Sequence, residues 1–259
     1  MSELYRIADI VCKMMFHPWK WRDFICHGEP EKIDIIINYP QNTTPFYKYE
    51  KYIVPRGINY CIRNETEVFL ANEDWSLICM LFAQNPERIS ECLEQIFYTH
   101  AVQRRMLQLH SSLIDFQGQG LMFLGPSGIG KTTQAELWNR YRDARIINGD
   151  IVFVQEKEDC FLGWGTPWHG SSPYCENASV PVKALVVLKQ APENSIRELT
   201  GFEKVTAVSN SVFYPQWLEN GMELCLETLD HLLTRLPVYE LCCRPDEEAV
   251  KLTEETIFH

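Results

Sequence analysis

The sequence lacks any long hydrophobic run. Its apolar stretches, such as Ile35–Ile37 and Ala184–Leu188, have at most the length of a β-strand, whereas a bilayer-spanning helix needs about 18 apolar residues or more. The N-terminal residues also lack a basic segment followed by an apolar stretch, which is the pattern of a secretory signal. These absences predict a cytoplasmic protein with no membrane partner.

Basic residues are in short supply. The chain has 24 Lys and Arg against 35 Asp and Glu, which gives a formal net charge of −11. The excess lies in residues 107–259, where 21 acidic and 12 basic side chains sum to −9. Phosphate backbones and anionic lipid surfaces usually bind to basic patches. We therefore expect no nucleic-acid partner, and any anion bound by the second half must be held by local chemistry.

The ten cysteines lack the spacing of a metal site or a redox pair, because no CxxC occurs and only Cys242 and Cys243 are adjacent. A free thiol among apolar neighbours, such as Cys79, packs as a small hydrophobic side chain. Disulfides are rare in the cytoplasm. We expect reduced cysteines with mainly structural roles.

The chain also lacks internal repeats and Gly/Ser-rich linkers. Short strand-like runs, including 33–38, 52–55 and 67–70, fill about the first 80 residues. A helix is predicted from Asn85, as N-cap, to about residue 104. From residue 107 onward, strands alternate with helices. The predicted fold is mixed α/β (α+β), with a small β-rich N-terminal subdomain at 1–84, a connecting helix at 85–106 and a larger domain at 107–259.

Local signals place further elements in the larger domain. The apolar strand Leu121–Leu124 precedes a glycine-rich segment and a helix over about 131–141. Thr200 and Glu203 have the spacing of a capping box. Two more helices are predicted, one at 221–236 and one from about residue 245.

The glycine-rich segment carries the clearest motif, because residues 125–132 match the P-loop (Walker A) pattern G-x-x-x-x-G-K-[ST]. Glycines let the backbone turn its N–H groups toward phosphate oxygens, and the positive N-terminal end of the next helix adds to this anion site. Lys131 can reach the β- and γ-phosphates, and the Thr132 hydroxyl can bind Mg²⁺. The predicted nucleotide-binding residues are Gly125, Pro126, Ser127, Gly128, Ile129, Gly130, Lys131, Thr132 and Thr133.

Asp150 is the second candidate site residue, and it follows a short apolar strand 18 residues after Thr132. An aspartate at the carboxyl end of a strand beside the loop can bind Mg²⁺ together with Thr132, or it can accept a proton. The alternative is a turn residue after Asn148-Gly149, which is a strong turn sequence.

Four segments follow one another in a specific order: His110-Ser111-Ser112, the Gly118/Gly120 turn, residues 124–133 and Ile147–Asp150. In this order they resemble the HPr kinase/phosphorylase family, P-loop kinases that share their nucleotide core with ATP-dependent phosphoenolpyruvate carboxykinase. Gly165–Gly170 looks like a loop in uncharacterised HPr-kinase-like proteins, some of which sit beside peptide-modification systems. The implied fold is an HPr-kinase/PEP-carboxykinase-like P-loop core in residues 107–259.

The resemblance implies phosphorylation of a hydroxyl group, typically a serine, with ATP and Mg²⁺ as cofactors. It implies catalytic roles for Lys131, Asp150 and His110, the last of which matches a histidine near the acceptor. The family usually has two adjacent aspartates, whereas Ile151 follows Asp150 here. The general base is therefore open among Asp150, His110 and His169, and a structural role for His110 is the alternative.

The Gly165–Gly170 segment is a candidate substrate loop with two interpretations. Its glycines can act as hinges while Trp168 and His169 close over a substrate. Alternatively, it is a tight connection with a packed tryptophan. Glu176, which lies nearby in the sequence, either contacts substrate or forms a surface salt bridge.

Two functions are compatible with these features. The first is an ATP-dependent kinase that phosphorylates a hydroxyl of a protein, peptide or small molecule. The second is a nucleotide-binding accessory protein without transfer activity, for example in a peptide-modification system, and the single aspartate supports it. The acidic exterior favours a neutral or basic acceptor, and an oligomer is compatible with the sequence.

Overall fold

The computed structural model describes residues 2–38, 42–46, 49–52, 56–82 and 84–259. These residues form two compact units, Met1–His100 and Ala101–His259. The helix α1 (Pro86–Val102) crosses this boundary. The side chain of Asn85 accepts hydrogen bonds from the backbone N–H groups of Glu87 and Arg88, at 2.9 and 3.4 Å, as an N-cap residue does.

The first unit is built mainly from short strands. The elements are β1 (Glu3–Ile7), β2 (Ile10–Met14), a 3-10 helix (Trp19–Phe24), β3 (Ile35–Asn38), β4 (Asn42–Phe46), β5 (Tyr49–Tyr52), β6 (Ile58–Asn64), β7 (Glu67–Asn72) and β8 (Leu77–Phe82). In the described residues, a sheet runs in the order β1-β2-β3-β8-β7-β6, and β4 pairs separately with β5. The predicted strand at 52–55 lies outside the described residues beyond Tyr52.

The second unit mixes long strands with four helices in the described residues. Its strands are β9 (Met106–Phe116), β10 (Gln119–Leu124), β11 (Arg145–Asn148), β12 (Ile151–Glu156), β13 (Phe161–Trp164), β14 (Ser179–Gln190), β15 (Ser195–Glu198), β16 (Val212–Phe213) and β17 (Val238–Cys243). Its helices are α2 (Lys131–Arg142), α3 (Gly201–Ser209), α4 (Gly221–Arg235) and α5 (Glu247–Ile257).

Five strands of the second unit close into a ring. The sheet order is β10-β9-β12-β13-β14-β17-β15, and the parallel pairing of β10 with β14 closes the ring of β10, β9, β12, β13 and β14. Closure is possible because β9 and β14 are long strands, and each pairs with different strands near its two ends. β9, for example, pairs with β12 through residues 106–110 and with β10 through residues 111–116.

The parallel strands β10, β14 and β17 end at one edge of this sheet. Residues 121–124 of β10 are all buried, as expected for a strand covered on both faces. Helices α2 and α5 pack on one face of the sheet through Trp138, Ala135 and Val250. The loop between β10 and α2 is thereby held at the carboxyl edge, where open α/β sheets usually bind ligands.

The remaining local predictions have mixed outcomes. Thr200 precedes α3, but its side chain makes no capping hydrogen bond. All ten cysteines are free thiols, and five of them are buried. No helix in the described part of the chain is long and apolar enough to cross a membrane.

Trp138 anchors α2 to the sheet, and its replacement tests this packing. The ring is fully buried, with its centroid 5.2 Å from that of Phe116. We expect Trp138→Ala to lower the free energy of unfolding by about 3–5 kcal/mol, since it leaves a large cavity. Urea denaturation followed by circular dichroism measures the change. Tyr141→Ala, an exposed position of the same helix, is the control, and equal losses in the two variants would contradict the packing role.

Candidate functional site

The glycine-rich loop Gly125–Thr132 joins β10 to α2 at the carboxyl edge of the sheet. Gly130, the N-cap of α2, has φ = 117°, a left-handed conformation that favours glycine. No side chain caps the first turn of α2. Its backbone N–H groups are therefore available to a bound anion.

Lys131 lies folded back over the start of this loop. Its side chain is only 6% exposed, and Nζ donates to the carbonyl oxygens of Gly125 and Pro126 at 3.1 and 3.2 Å. Burial lowers the pKa of Lys131, while the charge of Asp150 acts in the opposite direction. The charged group that raises this pKa is thus Asp150, the second candidate site residue.

Two hydroxyl groups connect the loop to neighbouring strands. Thr132 Oγ1 donates to the carbonyl oxygen of Gly149 at 3.2 Å. Ser112 Oγ, on β9, donates to the carbonyl oxygen of Lys131 at 3.0 Å. The first turn of α2 is therefore tied both to the turn that carries Asp150 and to the strand that carries His110.

The Asn148-Gly149-Asp150 turn interrupts strand pairing. β11 and β12 both pair with β9, and the break between them leaves Gly149 and Asp150 outside either strand. Asn148 is fully buried: its Oδ1 accepts from the N–H groups of Asp150 and Ile151 at 2.9 and 3.1 Å, and its Nδ2 donates to Thr166 O at 2.9 Å. These bonds fix the backbone from which the Asp150 side chain projects.

His110 and Asp150 form a pair, with Nε2 2.9 Å from Oδ1. The contact follows from the register, since His110 lies opposite Ile151. About a quarter to a third of each side chain is exposed, so the pair is accessible from solvent. The backbone N–H of His110 donates to the backbone carbonyl oxygen of Ser211 at 2.8 Å. The centroid of the Phe213 ring lies 6.4 Å from that of the imidazole.

Gly170 packs directly against this pair. A Cβ atom at residue 170 would lie 2.4 Å from Asp150 Oδ2, and the backbone has φ = 55°. Only glycine fits there without displacing the carboxylate. A hinge was one of the two interpretations of this loop. The structure shows a close approach of Gly170 to Asp150, which no pattern in the sequence predicts.

The other residues of the predicted substrate loop are not gathered at the pair. Trp168 is buried, with its ring 6.1 Å from that of Phe153, which favours the packed alternative. His169 Nδ1 contacts the carbonyl oxygen of Ser172 in its own loop. Glu176 forms an ion pair with Arg145, which favours the salt-bridge alternative.

Two clefts flank the glycine-rich loop. The first, which we call the α3 cleft, has a volume of about 690 Å³ and lies between Gly125-Pro126, β14 and α3. The second, the β17 cleft, has a volume of about 620 Å³ and lies between Gly128–Gly130 and the ends of β14 and β17. Both volumes are in the range of small-molecule sites. Sequence reasoning did not identify either cleft, because their walls come from distant segments.

The donor atoms around the turn fit Mg²⁺. The described residues contain no group of three or more His, Cys, Asp or Glu side chains placed to hold a metal ion. Mg²⁺ in nucleotide sites, however, usually takes only one or two protein oxygens, with phosphates and waters completing its shell. The Thr132 hydroxyl and the Asp150 carboxylate are oxygen donors on two segments joined by the Thr132–Gly149 hydrogen bond.

Comparison with known proteins places the chain in a family. A family model described as SynChlorMet cassette protein ScmC matches residues 77–244, about two thirds of the chain. The chain belongs to this family.

One curated protein is similar to part of the chain. The HPr kinase/phosphorylase of Clostridium acetobutylicum is 28% identical over 116 residues, which are 43% of this chain and 33% of that protein. The chain thus spans about a third of the length of this relative. Among solved structures, the HPr(Ser) kinase/phosphatase from Coxiella burnetii aligns with 58% of this chain and 87% of its own, at 11% identity and a TM-score of 0.35.

Replacing Asn148 tests whether its amide holds the turn. Asn148→Ala removes the acceptor of two backbone N–H groups and the donor to Thr166 O, so we expect the free energy of unfolding to fall by about 2–4 kcal/mol. Asn210→Ala, at an exposed position, should change it by less than about 0.5 kcal/mol. Urea titration of both variants measures the difference. A loss in Asn148→Ala no larger than in the control would show that the turn does not depend on this side chain.

Proposed function

We propose that the chain is an ATP-dependent kinase that transfers the γ-phosphate of Mg-ATP to a hydroxyl group, typically a serine, of a protein, peptide or small molecule. One observation carries the proposal. The accessible pair joins His110 of β9 to Asp150, which lies on the turn to which Thr132 of the glycine-rich loop is hydrogen-bonded. This contact supports a role for Asp150 as a proton acceptor beside the proposed phosphate site.

In this proposal the glycine-rich loop is a P-loop. Its N–H groups and the N-terminal end of α2 bind the phosphate oxygens of ATP. Lys131 leaves its two carbonyl partners and pairs with the β- and γ-phosphates. Thr132 and Asp150 bind Mg²⁺, which when bound neutralises charge on the transferred group.

The His110–Asp150 pair supplies the base. The acceptor hydroxyl oxygen forms a bond to the γ-phosphorus while the bond from phosphorus to the β,γ-bridging oxygen breaks, and ADP leaves with that oxygen. The acceptor's proton passes to Asp150. His110, held to Oδ1 at 2.9 Å, orients the carboxylate. This arrangement offers a substitute for the second aspartate that is usual in the resembling family, and it favours His110 over His169 as the partner.

Radioactive transfer tests the kinase. Purified protein is incubated with γ-labelled Mg-ATP and a lysate from its native source, and labelled products are separated and identified by mass spectrometry. We expect Lys131→Ala to abolish labelling and Asp150→Asn to slow it by about 10²–10⁴-fold, the usual contribution of a general base. His110→Gln should slow it less, since it leaves the carboxylate in place.

The control for this experiment is Glu255→Gln, which removes an exposed ion-pair partner of Lys251 on α5. Labelling by Asp150→Asn at the wild-type rate would contradict the assignment of the base. ATP that binds and raises the melting temperature, yet is recovered intact with every fraction of the lysate, would favour the accessory protein without transfer activity.

The pH dependence of anion binding tests Lys131. Burial lowers the pKa of Lys131 from the usual range of lysine, and Asp150 opposes this shift. The charged form binds phosphate, so affinity should be constant below the folded-state pKa and fall as the pH rises through it. In Asp150→Asn the opposing charge is gone, and the fall should begin at lower pH.

Calorimetric titration with tripolyphosphate in the absence of Mg²⁺, from about pH 7 to pH 10, covers the interval below the usual lysine value. Lys131→Arg serves as the control, because a guanidinium stays charged throughout and its profile therefore contains only the titration of the ligand and of other groups. Identical profiles for the wild type and Asp150→Asn would contradict the coupling between Lys131 and Asp150.

A further inference from the structure

A tight turn at residues 169–172 lies against the carboxylate of Asp150. The backbone N–H of Ser172 donates to the carbonyl oxygen of His169 at 2.9 Å, and this hydrogen bond closes a four-residue β-turn. Gly170, the second residue of the turn, has φ = 55°, and a Cβ atom on it would overlap Asp150 Oδ2. The chain itself therefore fills the space beside this oxygen.

The two carboxylate oxygens of Asp150 have different neighbours. Oδ1 lies 2.9 Å from His110 Nε2, whereas Oδ2 is the oxygen that Gly170 approaches. A general base must come within hydrogen-bonding distance of the hydroxyl whose proton it accepts. Since His110 holds Oδ1, Oδ2 is the oxygen better placed for this proton, and the segment that faces it is the 169–172 turn.

Ser171 gives this turn a hydroxyl group. It is the third residue of the turn, follows Gly170 directly and is exposed. Consecutive Cα atoms are about 3.8 Å apart, so a shift of the turn by about one residue's length carries the Ser171 hydroxyl to Asp150 Oδ2. Pro173 is also exposed. The shift therefore moves a solvent-facing segment and leaves the core packed.

The end of the turn is tied to the segments that carry the proposed site. Ser172 is buried, its Oγ accepts from the backbone N–H of Tyr174 at 3.3 Å, and its side chain packs against Gly149. The Tyr174 hydroxyl donates to Glu136 of α2 at 3.2 Å. Such a short tether gives a hydroxyl a high effective concentration beside the base.

We propose that Ser171 is a phosphorylation site and that the chain phosphorylates it in an intramolecular reaction. Ser171 Oγ forms a bond to the γ-phosphorus of ATP while the bond from phosphorus to the β,γ-bridging oxygen breaks. The hydroxyl proton passes to Asp150, and ADP leaves with the bridging oxygen. The inference rests on the proposed function, because it uses the same base and the same phosphate donor, and it adds an acceptor within the chain.

Self-labelling of the purified full chain tests this inference. The protein is incubated with γ-labelled Mg-ATP without lysate, digested, and examined by mass spectrometry with fragmentation that distinguishes Ser171 from Ser172. We expect phosphate on Ser171. The fraction labelled per minute should stay constant over about a hundredfold range of protein concentration, because an intramolecular step is first order in protein. Lys131→Ala, purified in the same way, should carry no phosphate, which excludes a contaminating kinase.

Substitutions at the acceptor complete the test. Ser171→Ala should lose self-labelling, and Ser171→Thr should restore it as phosphothreonine at the same position. Ser195→Ala removes another exposed serine of the second unit, at the start of β15, and should label at the wild-type rate. Melting temperatures establish that the variants fold. If Ser171→Ala does not fold, the position of the phosphate in the unmodified protein decides alone.

The outcomes distinguish this inference from the proposed function. Phosphate on a different residue, or a labelled fraction that rises with protein concentration, would overturn the intramolecular site at Ser171. An unlabelled chain that still phosphorylates an acceptor in the lysate would also overturn it and leave the kinase standing. Absence of transfer both to the chain and to every lysate fraction would overturn the two proposals together.

Discussion

The buried amide of Asn148 is the interaction on which the arrangement of the candidate site depends. Strand pairing along β9 stops between β11 and β12, and a backbone that leaves a sheet must satisfy its polar groups in another way. Asn148 does so for two N–H groups on one side and for Thr166 O on the other. The Asp150 carboxylate can therefore project from an irregular turn without mobility of the backbone beneath it, and Gly149 O stays in reach of Thr132.

Small residues then decide how closely the surrounding segments approach. The segment around Gly170 comes so near that any side chain there would meet Asp150 Oδ2. On the opposite side, His110 holds Oδ1. The carboxylate is thus positioned from both sides by groups from different elements. Asp150 has no acidic neighbour in the sequence, and its contacts with His110 and Gly170 fix the orientation of its carboxylate.

Local signals in the sequence predicted local structure well. Asn85 caps α1, the helix after the glycine-rich loop begins at Lys131, and strands alternate with helices beyond residue 106. Features that depend on pairing between distant segments could not be predicted from local patterns. The ring closure needs the full lengths of β9 and β14, which pair with several strands each. Thr200 matched a capping box that its side chain does not form. No sequence pattern marked Gly170, because its neighbour Asp150 comes from another part of the chain.

The net charge of −11 and the proposed polyanion site are compatible, because positive potential at Lys131 is local. Burial lowers the pKa of Lys131, and its hydrogen-bond partners are two neutral carbonyl groups. Burial of a charge is unfavourable unless an opposite charge compensates it, and the charge of Asp150 does so only in part, because the pKa of Lys131 is still lowered. A phosphate group at the loop would supply that charge, so anion binding would relieve a cost that folding has already imposed. Burial makes the charged form of Lys131 unfavourable in the free protein. The same burial thus favours binding of an anion at this position, whatever the charge of the distant surface.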